Sequence, residues 1–130
     1  MPERRFAPGF RISVFDAAIL FCGVTGTAAA GARVWVGGLI VGFAVGHFFL
    51  FCNVFRIRRR PELIWAGTFI GLTAVTLFTG FPGWMGTIAG SLALTVFLVM
   101  REMKQPYYHG VGWSRINPGL RNWWEANARS

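Results

Sequence analysis

The sequence predicts an all-helical integral membrane protein: a four-helix bundle with both chain ends on one side of the bilayer and a short surface helix at the C-terminus. Three observations predict this. Of 130 residues, 54% are hydrophobic and only 14% charged, where soluble domains carry about a quarter charged residues. Apolar segments fall at residues 12–32, 34–55, 63–81 and 83–100, each near the roughly 20 residues that cross a hydrocarbon core of about 30 Å. The basic residues gather at alternate breaks between these segments. The period-2 alternation of a membrane barrel is absent, and an open sheet would leave backbone groups unsatisfied in lipid, so helices follow.

The first segment follows Arg4, Arg5 and Arg11 and superficially resembles a signal peptide. Asp16 within it, and three further apolar segments, predict a retained first span instead. Small residues and Arg33 in GTAAAGARVW separate spans one and two. Span two runs into Arg56, Arg58, Arg59 and Arg60. Pro61 and Glu62 then suit the first turn of span three, where a missing N–H costs nothing and a carboxylate meets the positive end of the helix dipole. The Gly-Phe-Pro-Gly of TGFPGW supplies a tight turn before span four.

With the N-terminus inside, Arg4, Arg5, Arg11, the arginines of 56–60, Arg101, Lys104, Arg115, Arg121 and Arg129 are all cytoplasmic. Of the 13 lysines and arginines, only Arg33 lies outside. This bias predicts two cytoplasmic termini in a cytoplasmic membrane, such as a bacterial inner membrane. Residues 1–104 form the membrane domain and 105–130 a cytoplasmic aromatic and basic tail. Within the tail, Asn117-Pro118 marks a helix start. Leu120, Trp123, Trp124 and Asn127 share one face of a helix over about 118–128, and Trp113, Trp123 and Trp124 are expected at the membrane interface.

Close packing of small residues drives helix association in lipid. Span two carries Gly38, Gly42 and Gly46, span three Gly67 and Gly71, and span four Gly86 and Gly90, while span one offers Ala18, Cys22 and Gly26. These stripes predict packing within the chain or self-association. A faint echo relates Trp35-Val-Gly37 to Trp84-Met-Gly86, each opening the second helix of a hairpin.

Three polar residues within the apolar segments are candidate sites: His47, Asp16 and Asn53. An unpaired ionisable group in hydrocarbon is expensive, so each needs a partner. His47 projects onto the bulky face of span two with Ile40, Phe43, Leu50 and Phe51, opposite the glycines and Asn53. Its expected satisfaction is a hydrogen bond to Thr68, Thr73, Thr76, Ser91 or Thr95 on a neighbouring helix. Alternatively it serves a proton or ligand path. Asp16, near the start of span one, is expected to pair with Arg11 or a snorkelling arginine of 56–60.

Haem on His47 would need an axial partner such as Met85 or Met100, since His109 lies in the tail, and no cofactor or metal is expected. Cys22 and Cys52 differ in depth by more than a disulfide spans, and no HExxH, CxxC, phosphate-binding loop or serine with a nearby base is present. The net charge of +8 punctuates apolar stretches and does not form a polar basic face, which argues against nucleic acid. The expected function is therefore non-enzymatic: an accessory, assembly or scaffold subunit partnered by lipid and by other membrane chains or copies of itself. The competing expectation is a small homo-oligomeric transporter or channel using His47, and with it Asp16, in a proton or ion path.

Overall fold

Ser13 and Asp16 start the first helix as a reciprocal cap: Ser13 Oγ accepts the Asp16 N–H at 3.1 Å and Asp16 Oδ2 accepts the Ser13 N–H at 2.8 Å. The computed structural model describes residues 5–128; Arg4 and Arg129 lie outside the described residues. From this cap the chain runs through α1 (Val14–Arg33), α2 (Trp35–Phe49) with a π-helical turn (Leu50–Val54), α3 (Arg59–Thr79), α4 (Gly83–Met103), α5 (Trp113–Ile116) and α6 (Leu120–Ala128). Helices α1, α2 with its π turn, α3 and α4 are each long and apolar enough to cross a membrane.

Span three begins earlier than the hydropathy break, at Arg59 and not at 63. Pro61 then falls in the first turn, where its missing N–H removes no helical bond, and Arg59 and Arg60 become part of the helix. At the other end Gly80 caps α3 in the left-handed region, φ 74°. The turn to α4 contains a cis Phe81–Pro82 bond. Here the helix starts bring the echoed tryptophans together, Trp35 and Trp84 meeting edge-on at 6.4 Å.

Helix α1 packs on α2 through glycines, which bring the other helix's backbone or a small side chain into close contact. A Cβ on Gly38 would lie 2.7 Å from the Gly31 Cα, one on Gly42 2.9 Å from Thr27 Cγ2, and one on Gly23 2.6 Å from Val45 Cγ1. The α1 side of this seam is therefore Gly23, Thr27 and Gly31; the expected Ala18, Cys22 and Gly26 stripe is turned away, Cys22 being exposed and Gly26 meeting nothing within 4 Å. No residue of α1 is buried.

The apolar core sits between α2, α3 and α4, where Phe51, Trp65, Phe69, Leu98 and Val99 cluster. Helices α3 and α4 meet along Thr73, Thr76, Thr87, Ser91 and Thr95, all buried. The glycines expected on that seam stand elsewhere. Gly67 and Gly71 are exposed with nothing within 4 Å, as is Gly46 on α2; a Cβ on Gly86 would meet Pro82, and one on Gly90 only Leu72 at 3.5 Å. Hydroxyl residues hold the α3–α4 contact because they are small enough for close approach and can hydrogen-bond across it.

At the other end of the bundle the N-terminal segment, the 50–58 linker and the tail interlock. Gly9 N–H donates to the His109 carbonyl at 2.7 Å, Arg11 N–H to the Asn53 carbonyl at 3.1 Å and Val111 N–H to the Val54 carbonyl at 2.9 Å. The α6 helix packs back on this cap through fully buried Leu120 and an edge contact of Trp124 with Phe6 at 5.8 Å.

Candidate functional site

The π turn at the end of α2 places one extra residue in the helical ladder, with Phe55 N–H reaching the Leu50 carbonyl at 2.9 Å. Around it lie the three polar residues singled out by sequence, in different settings. His47 is buried at 8% exposure in an aromatic box. Its ring stacks on Trp65 at 4.4 Å and 12°, and meets Phe43 at 4.3 Å and Phe51 at 5.8 Å. Its partner is not the hydroxyl of another helix: Nδ1–H donates to the Phe43 carbonyl of its own helix at 2.9 Å. That bond puts the proton of a neutral ring on Nδ1 and leaves Nε2 a lone pair, which takes no hydrogen bond among the described residues.

Trp65 links this box to the α3–α4 seam. Its indole Nε1–H donates to the Ser91 carbonyl at 3.1 Å, and the same carbonyl accepts the Thr95 hydroxyl at 2.8 Å. One turn further on, the Thr76 and Thr87 hydroxyls share a hydrogen bond of 2.8 Å. Antiparallel pairing of 76 with 87 brings Thr73 to the level of Ser91, and both hydroxyls are buried without a partner. A polar column thus runs from the His47 box toward the Trp35–Trp84 end. Unlike His47, Trp65 gives no signal in its sequence context, because its role depends on the mutual register of α2, α3 and α4.

Asp16 is not ion-paired with an arginine. Among the described residues the one ion pair is Arg121–Glu125, at 3.4 Å on α6. Asp16 Oδ2 is engaged by the Ser13 N–H and hydroxyl, because the N3 position of a helix is where a carboxylate satisfies the free N–H of the cap residue. The Ser-x-x-Asp spacing at 13–16 carries this signal in the sequence. Asn53 is buried and donates through Nδ2 to the Arg11 carbonyl at 2.7 Å, completing a two-bond pairing with the N-terminal segment.

The cap is the part least anticipated. Trp113 and Trp124 pack edge-on against Phe6, both at 5.8 Å, and Trp123 meets Tyr107 at 6.2 Å, so the tail tryptophans contact the protein itself. Arg58 lies over the Tyr107 ring, 3.5 Å from its centre. Arg56 adopts φ 50°, rare for a side-chain residue, and its Nη1 donates to the Ala7 carbonyl at 2.5 Å. Burial lowers the Arg56 pKa, with Arg11 adding to the effect. Burial also holds the His109 imidazole below its ordinary range, opposed by the Tyr107 carbonyl that accepts its Nδ1–H and reinforced by Arg56. Tyr108 is pushed up by burial, its hydroxyl donating to the Val111 carbonyl at 2.7 Å. Outside this interior, Arg58, Arg59, Arg60, Arg101, Lys104 and Arg115 are exposed.

No group of three or more His, Cys, Asp or Glu residues with metal-binding geometry occurs among the described residues. Compared with protein families, curated proteins and solved structures, the chain matches none.

Proposed function

We propose that the chain is a small, non-enzymatic, multi-pass membrane protein, an accessory or assembly subunit whose interlocked cap presents a rigid basic surface to the cytoplasmic face of a membrane complex. The observation that carries this reading is the cap itself. It ties the N-terminal segment, the 50–58 linker and the tail together through backbone bonds at Gly9, Arg11 and Val111 and leaves the arginines of α3's first turn outside. Order of this kind lowers the entropic cost of docking a partner, and unpaired arginines favour anionic headgroups or acidic partner segments. Both termini are taken as cytoplasmic on the positive-inside bias.

The test is photo-crosslinking in native membranes from a reporter at Arg59 or Arg115, with and without Gly110→Ala. A Cβ at Gly110 would collide with the Phe55 carbonyl, so that variant disrupts the cap while leaving the spans alone. Adducts to a different membrane chain, lost in Gly110→Ala, are expected. Adducts to copies of this chain alone would overturn the reading.

A second reading, a small homo-oligomeric transporter or channel, draws on the unpartnered hydroxyls of Thr73 and Ser91 along the column that ends at His47. It requires a proton-linked flux in proteoliposomes that His47→Ala abolishes without changing expression or assembly.

A further inference from the structure

The α1–α2 seam is tight where Gly38 meets Gly31 and Gly42 meets Thr27, and it opens toward the capped end. There a groove of about 250 Å³ lies between the helices, walled by Ile19, Leu20, Val45 and Phe48, with Asp16 and Asn53 at its end nearest the cap. Ile19 and Phe48 are 41% and 52% exposed, so the groove opens sideways from the bundle. In a spanning α1–α2 pair this direction faces lipid. The groove is amphiphilic along the helix axes, apolar between the helices and polar at its capped end.

We infer that this groove binds one phospholipid of the surrounding bilayer, an acyl chain lying between α1 and α2 and a zwitterionic head with a primary ammonium at its polar end. The polar end offers one group of each sign. Asp16 uses Oδ2 for its cap bonds to Ser13, and its carboxylate also lies beside Asn53 at this end of the groove; an acidic group there suits an ammonium. Arg11 is fixed beside Asn53 by its backbone N–H and carbonyl, while its side chain is exposed and forms no ion pair among the described residues. Arg11 does not line the groove itself, but its backbone stands beside Asn53 at the polar end, and a guanidinium on that segment suits the phosphate. A lipid with phosphate and ammonium adjacent satisfies both groups at once, whereas a purely anionic head places negative charge beside Asp16. The inference does not depend on which partner, if any, the cap engages.

Three variants separate the parts. Leu20→Trp fills the groove from α1, which buries no residue. Arg11→Gln removes the cation and keeps the backbone bonds to Asn53. Asp16→Asn keeps a capping oxygen and removes the anion. Each protein is reconstituted in vesicles of equal parts phosphatidylethanolamine and phosphatidylglycerol, exchanged into mild detergent, and its retained lipid counted by native mass spectrometry. The wild type should retain one phospholipid per chain, with phosphatidylethanolamine favoured about fivefold or more over phosphatidylglycerol. Leu20→Trp should lower retention about tenfold, Arg11→Gln should weaken it severalfold, and Asp16→Asn should remove the headgroup preference while keeping the chain bound. Equal retention by wild type and Leu20→Trp overturns the site. Equal retention of the two lipids by the wild type, or efficient photo-crosslinking from position 19 to a second copy in place of lipid, overturns it as well.

Discussion

The α1–α2 and α3–α4 pairs are both antiparallel hairpins of apolar helices, yet they are held by different chemistry. The first closes on glycines: Gly38 backbone to backbone on Gly31, Gly42 against the Thr27 methyl and Gly23 against the Val45 side chain, with no buried residue on α1. The second closes through side chains, the Thr76–Thr87 bond and the Trp65–Ser91 bond, beside the rings of Trp65 and Phe69 on α3, where Trp65 also stacks on His47 of α2. Dispersion at close range suffices where a glycine flattens one of the two surfaces, and it demands that no side chain stand at that glycine. Where large rings must be accommodated, hydroxyls and one indole N–H fix the register. The first kind of seam should tolerate no added volume; the second should tolerate it at the glycines and fail at the rings.

The largest effect is expected at the rings. Trp65→Ala removes a side chain 4% exposed together with its bond to the Ser91 carbonyl, and should cost about 3–5 kcal/mol. Unfolding by detergent titration, followed through helicity, measures it, and a loss under about 1 kcal/mol would place the core elsewhere.

Next comes Gly38→Leu, whose Cβ meets the Gly31 backbone, an obstacle that cannot rotate away. It should cost about 3 kcal/mol by forcing α1 off α2 and expose α1 to protease. Gly71→Leu is its control. With nothing within 4 Å of the glycine, that substitution should be neutral or stabilise by a fraction of about 1 kcal/mol through helix propensity. Equal damage at 38 and 71 would break the distinction between the seams.

That pair of glycines also shows what the sequence could carry. Hydropathy and the distribution of arginine lead to four long helices with boundaries close to those observed. The 3.6-residue period places His47 on the bulky face of α2 among Phe43 and Phe51. What a single helix cannot encode is which of its faces meets which neighbour. On α4, Gly86-x-x-x-Gly90 and Thr87-x-x-x-Ser91-x-x-x-Thr95 are equally good small-residue stripes, and only three-dimensional register selects the second. Trp65 as the partner of His47 was illegible for the same reason. Asp16 carries a local signal, since Ser13 stands three residues before it as a helix cap requires, but its charge led instead to an expected arginine pair that the structure replaces with the cap. The cap was not, because its bonds join residues 9 with 109 and 54 with 111, separations over which local pattern carries no information.

A smaller effect should follow from Thr76→Val, which leaves the Thr87 hydroxyl buried without its 2.8 Å partner and should cost about 0.6–1.7 kcal/mol, the range for hydrogen bonds between membrane helices. The smallest concerns the cap. The His109 pKa is below its ordinary value in the folded cap, so between that folded value and about 6.5 the released tail binds the extra proton. Cap stability is then flat above about pH 6.5 and falls as pH drops below it, by at most about 1.4 kcal/mol per pH unit for one proton. Hydrogen exchange at the amides of Gly9 and Val111 between pH 5 and 8, corrected for intrinsic rates, reports it. His109→Gln should abolish the dependence, and a wild-type cap that tightens on acidification would show the sign to be wrong.

The most direct measurement of the proposed role is photo-crosslinking from Arg59 or Arg115 in native membranes, compared between wild type and Gly110→Ala. An accessory subunit docking through its cap gives a discrete adduct with a different membrane chain, present in the wild type and lost in the variant. Adducts confined to copies of this chain, with a His47-dependent proton flux in proteoliposomes, would contradict it and leave the transporter reading in its place.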